Sequence, residues 1–273
     1  MKKSDVEKVR STTMVKDFWN KQAKTLKESE LATAPDSHYR TLEIKSILKY
    51  LKKNASVLDV GCGNGFSTLH FARCLPSSTF VGIDYSEEMI RHANSALQKE
   101  KLKKGQVTFT VANLLSLSKT PELEGRKFDC IISERCLINL ASWEEQKRAL
   151  MEMKKMLKKG GRIILTENTQ EGLARLNELR KKFDLEQISV RWHNYYMPEK
   201  KLLAFVKKEF KFEGMENIGN LYYIISRIVY ASLAKREGKE PAYMHPINEI
   251  ASKLPSLGTY QFSPNFIFLL RKK

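Results

Sequence analysis

The chain has 273 residues, 42% of them hydrophobic, and a formal charge of +17. That length buries one substantial core, and no apolar run reaches the roughly 18 residues that suggest a membrane span. Cys62, Cys74, Cys130 and Cys136 form no CxxC pair and no metal-ligand cluster with histidine, and no apolar stretch follows Met1-Lys2-Lys3, so the expectation is free thiols, no signal peptide and a cytoplasmic location.

Helical segments are expected first, at 13–28 and 37–52. In the second, Leu42, Ile44, Ile47, Leu48 and Leu51 recur near helical spacing, and Asp36 or Ser37 is its N-cap. A short apolar strand at 56–60 then runs into Val57-Leu58-Asp59-Val60-Gly61-Cys62-Gly63-Asn64-Gly65, with three glycines at alternate positions and a helix at 66–74. From there strands (79–83, 106–111, 128–133, 162–167) alternate with helices (87–99, 143–157, 170–182), and Lys159-Gly160-Gly161 makes the turn before the fifth strand. Such alternation calls for a parallel sheet covered on both faces.

The tail departs from that pattern. A sixth strand is expected at 211–218 and a last one at 265–271. The intervening stretch is far too long for a hairpin turn and carries Tyr222, Tyr223, Tyr230, Tyr243 and Tyr260, so it reads as a helical insertion or lid. The division is therefore N-terminal helices (1–55), an α/β core (56–218), the insertion (219–264) and the final core strand (265–273).

Strand, glycine turn and helix start make a nucleotide-binding corner. Glycine tolerates positive φ and lets a ligand approach the backbone, and the helix start offers unpaired N–H groups. The dinucleotide pattern Gly-x-Gly-x-x-Gly is broken, because position 66 is Phe. Asp59 at the strand end would repel a pyrophosphate but suits a cation. Asp84 follows the turn at about the 20-residue spacing of a ribose-hydroxyl acceptor.

With these residues in order from Val57 to about Glu167, the chain resembles the class I S-adenosylmethionine (SAM)-dependent methyltransferases, of small-molecule or glycan type. The resemblance implies an α/β, Rossmann-like doubly wound, mostly parallel seven-stranded sheet with helices on both faces, ending in an antiparallel hairpin strand. It implies SAM as cofactor and S-adenosylhomocysteine (SAH) as product. Gly61, Cys62 and Gly63 would flank the methionine moiety, Asp59 its ammonium, Asp84 and Tyr85 the ribose, and Asn113 and Leu114 the adenine. Glu134 follows the fourth strand, where relatives place cofactor or acceptor contacts, and Tyr39 and Arg40 would reach the methionine carboxylate.

Methyl transfer is an in-line displacement that mainly needs alignment in a dry pocket. A hydroxyl acceptor benefits from a base, for which His193, in Trp192-His193-Asn194-Tyr195-Tyr196, and then His245 are the candidates. Arg135, Trp192, Tyr195 and Tyr222 are the candidate acceptor-binding residues, Arg135 as a bidentate partner for a carboxylate or phosphate. The expected partner is a small, anionic metabolite or glycan precursor. An RNA methyltransferase using the basic surface is the alternative, although the motifs of base-methylating enzymes are missing. A noncatalytic SAM-binding protein is the third reading. The sequence leaves the oligomeric state open.

Overall fold

Strand order follows from where the apolar runs lie. The computed structural model describes residues 11–255 and 261–273. Tyr260 and the first ten residues of the N-terminal segment lie outside the described residues. Strands β1 (Ser56–Val60), β2 (Thr79–Asp84), β3 (Val107–Val111), β4 (Phe128–Glu134), β5 (Leu157–Asn168), β6 (Lys211–Asn217) and β7 (Asn265–Arg271) form one sheet, ordered β3-β2-β1-β4-β5-β7-β6. The first five are parallel, and β7 lies antiparallel between β5 and β6. This is the Rossmann-like sheet that the alternation implies, closed by the antiparallel final strand.

The central strands are apolar throughout because both faces are covered. Leu58, Val60, Ile131, Ile163 and Leu165 pack on one side, while Val57, Cys130, Ile132 and Ile164 pack on the other. An N-terminal helix, α1 (Thr12–Leu26), precedes α2 (Ser37–Leu48), α3 (Phe66–Cys74) and α4 (Glu87–Gln98). The last three supply Ile44, Ile47, Leu69, Phe71, Ile90 and Ala93 to the second face. On the first face, α5 (Trp143–Met156) supplies Ala149, Leu150 and Met153. Both α4 and α5 start on a serine cap, Ser86 accepting from the Met89 N–H and Ser142 from the Glu145 N–H. Two glutamates in each first turn complement the helix dipole.

Beyond β5 lie α6 (Gln170–Lys181) and α7 (Glu199–Glu209). The second was not foreseen, because its apolar Leu202 and Val206, buried against the first face, stand among lysines. The turn before the fifth strand is absorbed into β5. Leu157 already pairs with Phe128, the register jumps to Arg162 opposite Cys130, and Gly160 sits at φ +70° in the bulge between them.

The insertion is helical where it is described. α8 (Asn220–Ile224) passes through a π turn (Ile225–Val229) into α9 (Tyr230–Arg236), and α10 (Pro246–Ser252) packs on α2. The Asp36 carboxylate, N-cap of α2, ties the insertion to the N-terminal helices. It accepts from Tyr222 Oη at 2.7 Å and pairs with Arg227 Nη2 at 2.5 Å. No helix among the described residues is long and apolar enough to cross a membrane.

Candidate active site

The C-terminal ends of β1, β2, β4 and β5 open into a cavity of about 270 Å³, roofed by α1, α2 and the insertion. Its first half is built on the glycine turn. Gly61 and Gly63 hold φ of +71° and +55°, and the Gly61 and Cys62 N–H groups both donate to the Ile83 carbonyl. A Cβ on Gly61 would lie 2.3 Å from Cys136 Sγ, and one on Gly63 would lie 2.6 Å from Thr33 Cγ2. Conformation and close approach therefore both demand glycine.

Asp84 accepts from the Gly63 N–H at 3.0 Å and the Ser86 N–H at 2.9 Å, which fixes its carboxylate at the cavity wall. Burial pushes its carboxyl up to about 6 against these donors. Asp59 accepts from the Thr68 hydroxyl at 2.6 Å, and burial pushes it up to about 7. Tyr85, Asn113 and Leu114 complete this wall, with Asn113 Oδ1 occupied by the Leu115 N–H at 2.9 Å. Cys62 is buried on the same wall, its thiol pushed up by that burial.

The N-terminal segment is bolted over this half. Asn64 Nδ2 donates to the Lys27 and Ser29 carbonyls, and Trp19 Nε1 donates to Asn139 Oδ1 at 3.0 Å. Tyr39 and Arg40 both reach the wall. The Tyr39 hydroxyl is spent on the Ile218 carbonyl and Ser263, leaving its ring to the cavity. Arg40 donates from Nη1 to the Glu30 carbonyl at 2.7 Å, while its Nε stands 4.0 Å from Glu134 Oε1. In this half of the wall, Arg40 Nε, Glu134 Oε1, Thr33 Oγ1 and Ser67 Oγ are buried without a hydrogen-bond partner.

The second half starts at Arg135, held at φ +51° with its N–H donating to the Thr166 carbonyl. Its Nε lies 2.9 Å from Glu43 Oε1, and its Nη2 lies 3.9 Å from Glu134. Glu43 is fully buried, and burial pushes its carboxyl up to about 8 despite the pull of Arg135. The turn after β4 hangs on Glu167. That carboxylate accepts from Ser133 Oγ and from the N–H groups of Cys136, Leu137 and Ile138, while burial pushes it up to about 7.

The 192–196 segment divides by position. The Tyr195 N–H donates to the Ile138 carbonyl and the Met197 N–H to the Asn168 carbonyl, which pins the backbone between β4 and β5. His193, Asn194 and Tyr196 then line the cavity. His193 is stacked on Phe18 at 4.3 Å, with the Trp19 edge at 5.4 Å.

Four expected site residues do not reach the wall. Trp192 is 53% exposed against the Phe18 edge. Tyr195 points off the wall because its neighbour Tyr196 takes the inward position. Tyr222 is buried on Asp36, and the adjacent Tyr223 lines the cavity instead. His245 is exposed, caps α10 through Nδ1 and stacks on Tyr230 at 4.2 Å. Among the wall residues that sequence reasoning missed, Asn168 carried a usable signal: a polar residue ending an apolar strand, as Asp84 does. Tyr223 and Arg227 carried none, nor did Glu43, buried behind Arg135, because their roles depend on how helices pack.

The family profile described as "Methyltransferase domain" matches residues 51–223. An uncharacterized methyltransferase of Schizosaccharomyces pombe is 35% identical over 132 residues, 47% of this chain and 46% of its own length. A probable methyltransferase of Aspergillus luteorubrus is 31% identical over 132 residues, 47% of this chain and 45% of its own. The chain thus spans about half the length of these two relatives. Among solved structures, the magnesium protoporphyrin IX methyltransferase of Synechocystis with bound SAH superposes with a TM-score of 0.61, at 16% identity, covering 96% of this chain and 100% of that one. A 4+2 cyclase superposes with a TM-score of 0.55, at 21% identity, covering 86% of this chain and 80% of that one. At such identities the likeness establishes the fold, which hosts more than one reaction.

Proposed function

The chain belongs to the methyltransferase-domain family, has the class I SAM-dependent methyltransferase fold, and on that premise we propose that it transfers a methyl group from SAM to a small molecule bound beneath the insertion. The observation that carries this reading is the set of unsatisfied polar atoms around the glycine turn. Arg40 Nε and Glu134 Oε1 stand 4.0 Å apart without a hydrogen bond and offer a donor for a carboxylate and an acceptor for an ammonium, while the Asp59 and Asp84 carboxylates on the same wall offer further acceptors for the ammonium and for ribose hydroxyls. A ligand carrying both a carboxylate and an ammonium answers each need, and burial makes leaving them unmet expensive. SAM when bound supplies an electrophilic methyl on a cationic sulfonium. The chain's own residues bind and orient it and exclude water through Trp19, Tyr39 and the insertion.

The acceptor half supports a neutral acceptor better than an anionic one. Arg135, the arginine behind the anionic expectation, is already paired with Glu43, and Arg227 on the same wall is paired with Asp36. Arg191, exposed at the cavity wall, is the exception. His193 is the base candidate that lies on the wall.

Calorimetric titration with SAM and SAH, followed by label transfer from methyl-tritiated SAM to a panel of small acceptors and to RNA, tests the proposal. Binding of both ligands and labelling of a small acceptor is the expected result. A folded protein that binds neither defeats it. Binding without labelling favours a SAM-dependent scaffold, and salt-sensitive labelling of RNA favours the nucleic-acid reading.

A further inference from the structure

Asn168 places an unpartnered polar atom in the second half of the cavity. Asn168, the last residue of β5, is 8% exposed and lies on the cavity wall, and its Oδ1 is buried with no hydrogen bond. Its backbone is fully committed, pairing opposite Asn265 and accepting from the Met197 N–H at 3.0 Å. The residue's backbone is therefore fixed at the mouth of β5. A buried carbonyl oxygen without a donor costs stability, and such a cost is expected where a ligand repays it.

Tyr196 stands beside it. Burial holds the Tyr196 phenol above its ordinary range, with the neighbouring Asn168 carboxamide acting on it, so it stays a donor at neutral pH. Tyr196 is also on the wall and is fixed by the bonds of its neighbours Tyr195 and Met197. Leu173, Leu176 and Ile188 supply apolar surface to the same cavity.

Building on the methyl-transfer reading, we infer that Asn168 and Tyr196 anchor a hydroxyl group of the acceptor, carried on an apolar ring or chain. The pair offers one acceptor, Asn168 Oδ1, and one donor, the Tyr196 hydroxyl. A hydroxyl matches both, since it donates one hydrogen and accepts through its lone pairs. A carboxylate has nothing to give Asn168. An ammonium has no lone pair for Tyr196 and would face Arg135 and Arg191, both of which act on the Tyr196 phenol. Sites built to bond a hydroxyl discriminate strongly against analogues that lack it, because the buried partner is then left unpaired.

The probes are 4-fluorophenol and the matched 4-fluorotoluene, titrated into SAH-saturated protein and followed by ligand fluorine NMR. The phenol is expected to bind about tenfold more tightly than the toluene. Asn168→Leu is expected to erase that difference and Tyr196→Phe to reduce it, with SAH affinity in both variants unchanged. Equal binding of the two probes by the wild type overturns the inference, as does binding of neither, or a preference that survives Asn168→Leu. If Asn168→Leu fails to fold, the Tyr196→Phe titration decides by the same criterion. Wild-type protein that does not bind SAH defeats the methyl-transfer reading itself, a result distinct from SAH-bound protein that ignores the hydroxyl.

Discussion

The two halves of the cavity are made from different kinds of sequence. The half proposed to hold the cofactor comes from adjacent strand ends, Asp59 to Asn113, and its key contacts are backbone turns and carboxylates fixed by backbone N–H groups. The acceptor half joins residues far apart in the chain: Glu43 to Arg135 and Asn265, Asp36 to Tyr222 and Arg227. The first half is a local device that any chain with this turn repeats. The second depends on how the insertion docks on α2, so it is where specificity can vary without disturbing the turn.

The largest expected effect tests how far the acceptor half is also structural. Glu43→Ala leaves the Arg135 guanidinium without its buried partner and is expected to cost about 3 kcal/mol of stability, read by urea denaturation. A loss below about 1 kcal/mol would mean that the pair is an accessory of the cavity rather than part of the fold.

Asp84→Ala strikes the other half. It removes the acceptor fixed by Gly63 and Ser86 and is expected to weaken SAM by about 100-fold in calorimetry, with fluorophenol binding little changed. Loss of both ligands together would erase the distinction between the halves.

Protonation sharpens the same contrast. Burial raises the carboxyls of Asp84 to about 6, Asp59 to about 7, Glu167 to about 7 and Glu43 to about 8. Because these folded-state values lie above the ordinary carboxylate range, their stabilising contribution is fully present below about pH 4 and is lost as pH rises through 6 to 8. A bound cation favours ionised Asp59 and Asp84, so SAM affinity is expected to rise about tenfold from pH 5.5 to pH 7.5, with proton release. Titrations in buffers of different ionisation enthalpy measure that release, and a flat profile would remove these two carboxyls from cofactor binding.

Arg227→Leu should act on the acceptor half alone. It breaks the link to Asp36 and the stacking on Tyr223 and Tyr243. The expected result is an acceptor KM raised several-fold at unchanged SAM affinity. The smallest effect belongs to His245→Ala, at an exposed cap outside the cavity: activity unchanged and stability within about 1 kcal/mol. A collapse of turnover there would return His245 to the chemistry.

Reading strand ends was productive because β1, β2, β4 and β5 are buried on both faces, so a polar residue that ends an apolar run stands out. That logic picks out Asp59, Asp84 and Arg135, which lie on the cavity wall, and Asn168 was open to it too. The 192–196 segment shows the limit. Five polar and aromatic residues in a row give no periodicity from which to tell inward from outward, so the sequence does not separate Trp192 and Tyr195 from His193. Bonds from Tyr195 to Ile138 and from Met197 to Asn168 decide the facing.

The sequence by itself determined the sheet, its closing strand, the glycine turn and the carboxylates around it. These follow from residue type, from period and from φ requirements that act within a few residues. Tertiary structure alone decided that Arg135 and Arg227 meet carboxylates, that Tyr223 rather than Tyr222 faces the cavity, and that Asn168 Oδ1 is buried without a partner on its wall. Those outcomes rest on contacts between residues tens to hundreds of positions apart, and a buried charge or amide takes its meaning from the partner that packing brings to it.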